Sequence, residues 1–89
     1  MRSIRRTSQF KMDVRRLTKR GCDFAEFRQT IESLATGQPL SVRHRDHPLR
    51  GGHAGTRECH VEPDWLLVYE LSVDEVILIR TGTHADLFE

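Results

Sequence analysis

The chain has 89 residues, 37% of them hydrophobic and 30% charged, which suits one folded core spanning residues 1–89 and neither two domains nor a disordered chain. The net charge is only +1, but residues 1–20 carry eight Lys or Arg against one acid, and residues 21–89 carry six Arg against twelve acids; that basic first quarter points to a polyanion or an acidic protein on one side. No apolar run approaches the roughly 20 residues that cross a bilayer, no signal peptide is expected, and Cys22 and Cys59 form neither a CxxC pair nor a disulfide framework, so a reduced cytoplasmic protein is expected.

Residues 2–7 (RSIRRT) read as a short strand. Ser8 is the expected cap of a first helix, because Phe10, Val14 and Leu17 follow at the spacing of one helical face and Gly21 is a stop signal. Asp23 and Glu26 resemble an acidic capping box for a second helix carrying Phe24, Phe27, Ile31 and Leu34, closed by Gly37 and Pro39. The short link between the helices implies an antiparallel pair. Residues 38–56 are rich in Pro, Gly, His and Arg and read as a long loop, with a brief extended piece near Pro48–Leu49.

Three strands follow. In RECHVE (57–62), Arg57, Cys59 and Val61 share one face and Glu58, His60 and Glu62 the other. WLLVYEL (65–71) is nearly all apolar, as a central strand is, and EVILIRT (75–81) completes an antiparallel meander through two tight turns. The fold class expected is α+β: a small antiparallel sheet in the order β-α-α-β-β-β, with the N-terminal helix pair on one face and the other face partly open to a ligand.

Histidine is over-represented, and four of the five (His44, His47, His53 and His60) fall within residues 44–60. Three roles are open to them: solvated loop side chains, a metal site or acid–base catalysis. A site built on His44 and His47, with Cys59, His60 or Asp46, has usable spacing but no second paired motif. Proton transfer fits the placement better. His60 lies on the polar face of its strand, Asp64 follows the turn, His84 follows the last strand, and His47 precedes the meander. Arg57 or Arg80 could add positive charge for a phosphate. Such a group suits attack of an RNA 2′-hydroxyl on the adjacent phosphate. Trp65 reads as a core residue, and Cys59 as an inert thiol facing the core.

The segments RDHPLRG (45–51), RECHVEPDWLLVYEL (57–71) and RTGTHADLF (80–88), with SIRRTSQFKMDVRRLTKRG at the N-terminus, resemble the YafQ-type branch of the RelE/ParE toxin superfamily over essentially the whole chain. The resemblance implies a RelE-like fold and a toxin of a type II toxin–antitoxin system. It also implies an endoribonuclease that enters the ribosomal A site and cuts mRNA, leaving a 2′,3′-cyclic phosphate and a 5′-hydroxyl, with no cofactor and no metal. The family's site residues map onto His47, His60, Asp64, His84 and Phe88. The histidines and the aspartate are then acid–base or transition-state groups, with His84 the expected general acid, and the final aromatic holds a base. Arg15, Arg16, Lys19 and Arg20 become candidate rRNA phosphate contacts, with Arg57 and Arg80 as candidate RNA-phosphate cations. His53 stands where relatives often carry an aromatic residue.

The partners implied are a ribbon-helix-helix antitoxin in a 2:2 heterotetramer, the ribosome with mRNA and rRNA, and promoter DNA through the antitoxin alone. Two alternatives share the fold: a ParE-type toxin acting on DNA gyrase, and a catalytically silent module that binds an antitoxin. The retained histidines argue against the first, because a gyrase binder needs no proton-transfer set.

Overall fold

A computed structural model describes residues 1–49 and 55–88; His53 lies outside the described residues. In chain order the elements are β1 (Ser3–Arg6), α1 (Ser8–Lys19), α2 (Ala25–Thr36), a 3₁₀ turn (Val42–His44), β2 (His47–Pro48), β3 (Thr56–Glu62), β4 (Trp65–Leu71), β5 (Glu75–Gly82) and α3 (His84–Phe88). They form one five-stranded sheet in the order β1-β5-β4-β3-β2.

The sheet is mixed rather than purely antiparallel. β1 runs parallel to β5, with Ser3 opposite Glu75 and Arg6 opposite Leu78. A strand whose chain leaves through two helices is not bound to antiparallel pairing by a hairpin turn. All four β1 side chains are exposed, so backbone bonds and Arg2 hold this edge. The Arg2 guanidinium donates to the carbonyls of Ser72 and Leu34, both at 2.9 Å. The brief extended piece of the long loop is β2, pairing His47 with Glu58 and Pro48 with Arg57.

Two helix starts differ from expectation. α1 is capped by Thr7, one residue before Ser8. The Thr7 hydroxyl accepts from the Phe10 N–H at 3.0 Å and donates to the Ile79 carbonyl at 2.8 Å. That second bond ties the cap to β5, which Ser8 is not placed to do. At α2 the Asp23–Glu26 box does not form. Asp23 accepts from the Ala25 N–H at 2.9 Å, while Glu26 is drawn to Arg43 at 2.7 Å. Gly37 ends α2 in the left-handed region, at φ 78°.

The core lies between the helix pair and one sheet face. Phe10, Leu17, Phe27 and Leu34 pack with Cys59, Val61, Trp65, Leu67, Tyr69, Val76 and Leu78. Trp65 stacks on Phe27 at 5.2 Å and meets the Phe24 ring edge-on at 5.5 Å. Its indole N–H donates to Thr81 Oγ1 at 2.9 Å, so the tryptophan is a core residue with its one donor satisfied. Cys59 is fully buried, and burial pushes its thiol up to about 12; it is inert at neutral pH. Beneath α1, Asp13 is fully buried yet ionised. Burial works against its charge, but bonds from Arg80, the Thr81 N–H and Gln9 outweigh that and hold its carboxyl below the ordinary range.

Candidate active site

Strand alternation turns Arg57, Cys59 and Val61 toward the helix side and Glu58 and His60 to the opposite face. His47 is Glu58's neighbour in the ladder, so it shares that face. Its placement is enforced by the residue before it. Asp46 accepts from Arg57 Nε at 3.3 Å and Nη2 at 3.2 Å, and from the Tyr69 hydroxyl. With Asp46 anchored there, the next side chain is directed to the other face. Asp46 is thus an anchor for β2. Burial, then the Asp46 carboxylate, pushes the Tyr69 hydroxyl well above its ordinary range, so it stays a donor.

His47, Glu58 and His60 each place one donor atom within 4.8 Å of the others. His47 Nε2 lies 3.3 Å from Glu58 Oε1, and its Nδ1 lies 2.9 Å from the Pro48 carbonyl. This is not the metal grouping that spacing suggested. His44 is instead buried, and its Nδ1–H donates to the His60 carbonyl at 2.7 Å. Cys59 points into the core. The His–Glu–His set has the donor chemistry for a borderline divalent ion, given modest side-chain closure.

The second half of the site comes from the far ends of β3 and β5. The ladder shifts register between His60 and Glu62, a bulge of the kind that re-aims side chains. The turn after it presents Asp64. Its Oδ1 accepts from the backbone N–H of His84 at 3.1 Å and from His84 Nδ1–H at 2.6 Å. The His84 ring contact, then its backbone N–H, holds the Asp64 carboxyl below the ordinary range. With Nδ1–H committed to a carboxylate, His84 presents Nε2 to solvent. His60 donates Nδ1–H to the Pro63 carbonyl at 3.3 Å and likewise presents Nε2. The two rings lie 5.8 Å apart, and the Phe88 ring lies 6.5 Å beyond His84. Phe88 is 57% exposed, so it is not a plug for the core.

His47, His60, Asp64, His84 and Phe88 therefore form one continuous group, although they come from three elements and a turn. The cations fall differently. Arg57 lies on the opposite face from His60 and is held by Asp46. Arg80 grips Asp13 at 3.1 Å through Nε and Nη2, and Arg16 reaches the same carboxylate at 3.0 Å. Arg15 and Lys19 are exposed on α1.

Glu58 was not singled out from sequence. It is 7% exposed beside His47, and the signal for it was its position two residues before His60 on one strand face. The supports of α3, Arg20 and Asp86 (Nη1–Oδ2 2.7 Å), stand 66 residues apart and carried no local signal.

Comparison with known proteins agrees with this fold. A family model described as a bacterial toxin of type II toxin–antitoxin systems, YafQ, matches residues 2–89. The mRNA interferase toxin YafQ of Escherichia coli K12 is 40% identical over 88 residues, covering 98% of this chain and 96% of that protein. The toxin in the crystal structure of the E. coli DinJ–YafQ complex superposes with a TM-score of 0.94 at 39% identity, with all of both chains covered. A metal-bound toxin from Helicobacter pylori gives 0.92 at 40% identity, over 99% of this chain and 100% of that one.

Proposed function

The chain belongs to the YafQ family of bacterial toxins from type II toxin–antitoxin systems, and from that premise we propose that it is an mRNA interferase, an endoribonuclease that blocks translation by cutting messages. The observation that carries this reading is the pair of imidazoles, His60 and His84, with ring centroids 5.8 Å apart and neither Nε2 hydrogen-bonded among the described residues. A phosphodiester between them meets a proton acceptor on one side and a donor on the other.

In this reading His60 Nε2 takes the proton of the ribose 2′-hydroxyl. The 2′-oxygen attacks phosphorus, and the P–O5′ bond breaks. The leaving 5′-oxygen takes the Nε2 proton of a doubly protonated His84. The products are a 2′,3′-cyclic phosphate and a 5′-hydroxyl. His60 ends with one proton more and His84 with one fewer, and exchange with water resets both. Asp64 keeps His84 in the tautomer and orientation the step needs. His47, braced by Glu58, faces the same space and can hold the 2′-hydroxyl or a phosphate oxygen. The exposed Phe88 ring offers a stacking surface for a base, worth about 1–3 kcal/mol.

The cognate partner in this reading is an antitoxin, with a ribbon-helix-helix part that carries promoter binding and a 2:2 assembly. The ribosomal A site supplies the mRNA. The basic α1 face, with Arg15 and Lys19 exposed, suits rRNA phosphates or an acidic antitoxin tail.

The test is a cell-free translation reaction in which mRNA 5′ ends are mapped for the wild type, His84→Ala and His60→Ala. Codon-phased cuts with 5′-hydroxyl ends that vanish in both variants support the proposal. Intact mRNA with unhindered translation sinks it, and a supercoiling defect would redirect it to gyrase.

A further inference from the structure

A cleft of about 490 Å³ opens beside His60, and Glu26, Arg43, Arg45 and Glu62 line its walls. Arg43 Nη2 lies 2.7 Å from Glu26 Oε1, so those two charges cancel. Arg45 has no ion pair among the described residues. Its backbone is unusual too. At φ 47° and ψ 45° it is the one non-glycine residue with positive φ among the described residues. A side chain in that region is strained, and the strain persists only where the surroundings enforce it.

The enforcement is local. The Arg45 N–H donates to the Val42 carbonyl at 3.0 Å, closing the 3₁₀ turn. The turn is fastened by His44, which is buried and donates Nδ1–H to the His60 carbonyl at 2.7 Å. So the residue that positions Arg45 is bonded to the backbone of the proposed general base. Glycine fits such a position without strain, yet the chain carries an arginine there, lining the same cleft as His60 and without an ion pair among the described residues.

We infer that Arg45 and the cleft beside it form a subsite for an RNA phosphate flanking the one that is cut. This rests on the endoribonuclease reading above and adds a binding residue to it. The guanidinium fork matches phosphate oxygens. Arg57 and Arg80, the cations expected from sequence, are held by Asp46 and Asp13, whereas among the described residues no carboxylate holds Arg45. Glu62 is the remaining acid on the wall, so its neutralisation should strengthen phosphate binding rather than weaken it.

The test compares the full chain with Arg45→Gln, Arg45→Lys and Arg28→Gln in a translation reaction, with thermal melting as the control for folding. In parallel, side-chain ¹⁵N resonances are followed while inorganic phosphate is added. Arg45→Gln should lower cleavage about tenfold at unchanged Tm, Arg45→Lys should stay within about threefold, and Arg28→Gln, at an exposed arginine of α2 that does not line the cleft, should behave as the wild type. Phosphate should shift Arg45 Nε and the His60 ring in the wild type, and the His60 shift should vanish in Arg45→Gln. If Arg45→Gln melts early, Arg45→Gly takes its place, because its backbone suits the turn.

An mRNA with an uncharged methylphosphonate beside the cleaved linkage should cost the wild type the same factor and cost Arg45→Gln nothing. An equal loss in both proteins would place the contact on rRNA and overturn the inference, as would cleavage by Arg45→Gln at the wild-type rate or phosphate that shifts neither group. A wild type that cuts no mRNA yet binds phosphate through Arg45 would overturn the nuclease reading and leave the anion site standing.

Discussion

Arg20 grips Asp86 with both arms of its guanidinium, Nη1 to Oδ2 at 2.7 Å and Nη2 to Oδ1 at 2.8 Å. The same carboxylate accepts from the Thr83 N–H at 3.0 Å, and the Thr83 hydroxyl accepts from the Asp86 N–H at 3.1 Å. That is a reciprocal cap on α3. Arg20 is the C-terminal cap of α1, so one carboxylate joins the end of α1 to the short helix that carries His84 and Phe88. Space around it is tight: a Cβ at Gly82 would meet Asp86 Cβ and Oδ2 at 2.9 Å.

The clamp predicts a loss of activity larger than the loss of stability. Asp86→Asn should lower mRNA cleavage about tenfold by loosening His84, since small misplacements of a catalytic group are costly. The thermal midpoint should move by only a few degrees. Gly82→Ala, which pushes on the same carboxylate, should act in the same direction. Unchanged cleavage in both variants would separate α3 from the chemistry.

Asp13 should be the costliest charged residue to remove. It is fully buried and receives bonds from Gln9, Arg16, Arg80 and the Thr81 N–H. Asp13→Ala leaves those donors unpaired, at a cost of about 3 kcal/mol. Urea unfolding measures it directly; a loss below about 1 kcal/mol would mean that water replaces the carboxylate.

Acid should destabilise the fold through three carboxylates. Asp13, Asp64 and Asp86 all have folded-state values below the ordinary 3.8. For Asp86 the first cause is the Arg20 bond and for Asp64 the His84 bond, while for Asp13 the bonds overcome burial. A depressed carboxyl contributes stability that is complete above the unfolded value and is lost as pH falls through the folded one. The urea midpoint should therefore decline steadily below about pH 4. A midpoint that rises on acidification from pH 4 to pH 2 would contradict these three assignments.

Cleavage should follow a bell-shaped pH profile, because His60 must start unprotonated and His84 protonated. A flat profile between about pH 5.5 and 8.5 would count against imidazole chemistry. Toxin stripped with a chelator and desalted should keep its activity. Added Zn²⁺ should inhibit it by occupying His47, Glu58 and His60. Glu58→Gln should weaken that inhibition about tenfold or more by replacing a charged ligand with a neutral one. Inhibition that is equal in the two proteins would place the ion elsewhere.

Phe88→Ala should lower cleavage several-fold while leaving Tm within about two degrees, because the ring is 57% exposed and its burial stabilises little. Phe88→Tyr should retain most activity if the ring face is what matters.

Local signals in the sequence were enough for the order of β1, α1, α2, β3, β4 and β5. Helical spacing marked α1 and α2, and alternation with tight turns marked β3, β4 and β5, because those patterns follow from side-chain periods of 3.6 and 2. Alternation also put Glu58 and His60 on one face. Other features depend on partners far along the chain. Thr7 outranks Ser8 as a cap because Ile79 accepts its hydroxyl proton, and Glu26 leaves its capping box for Arg43.

The site divides in the same way. The motifs around His47, His60, Asp64, His84 and Phe88 named the chemistry, because imidazoles and a carboxylate are the groups that move protons near neutrality. The cations were decided by tertiary structure. The basic excess of residues 1–20 is real, yet Arg16 is paired with Asp13 and Arg20 with Asp86, as Arg57 and Arg80 are with Asp46 and Asp13. Whether an arginine is free for phosphate depends on which carboxylate folding brings beside it, and partners such as Asp13 and Arg80, 67 residues apart, leave no local pattern. Composition fixed how much charge the chain carries; packing decided which charges remain available.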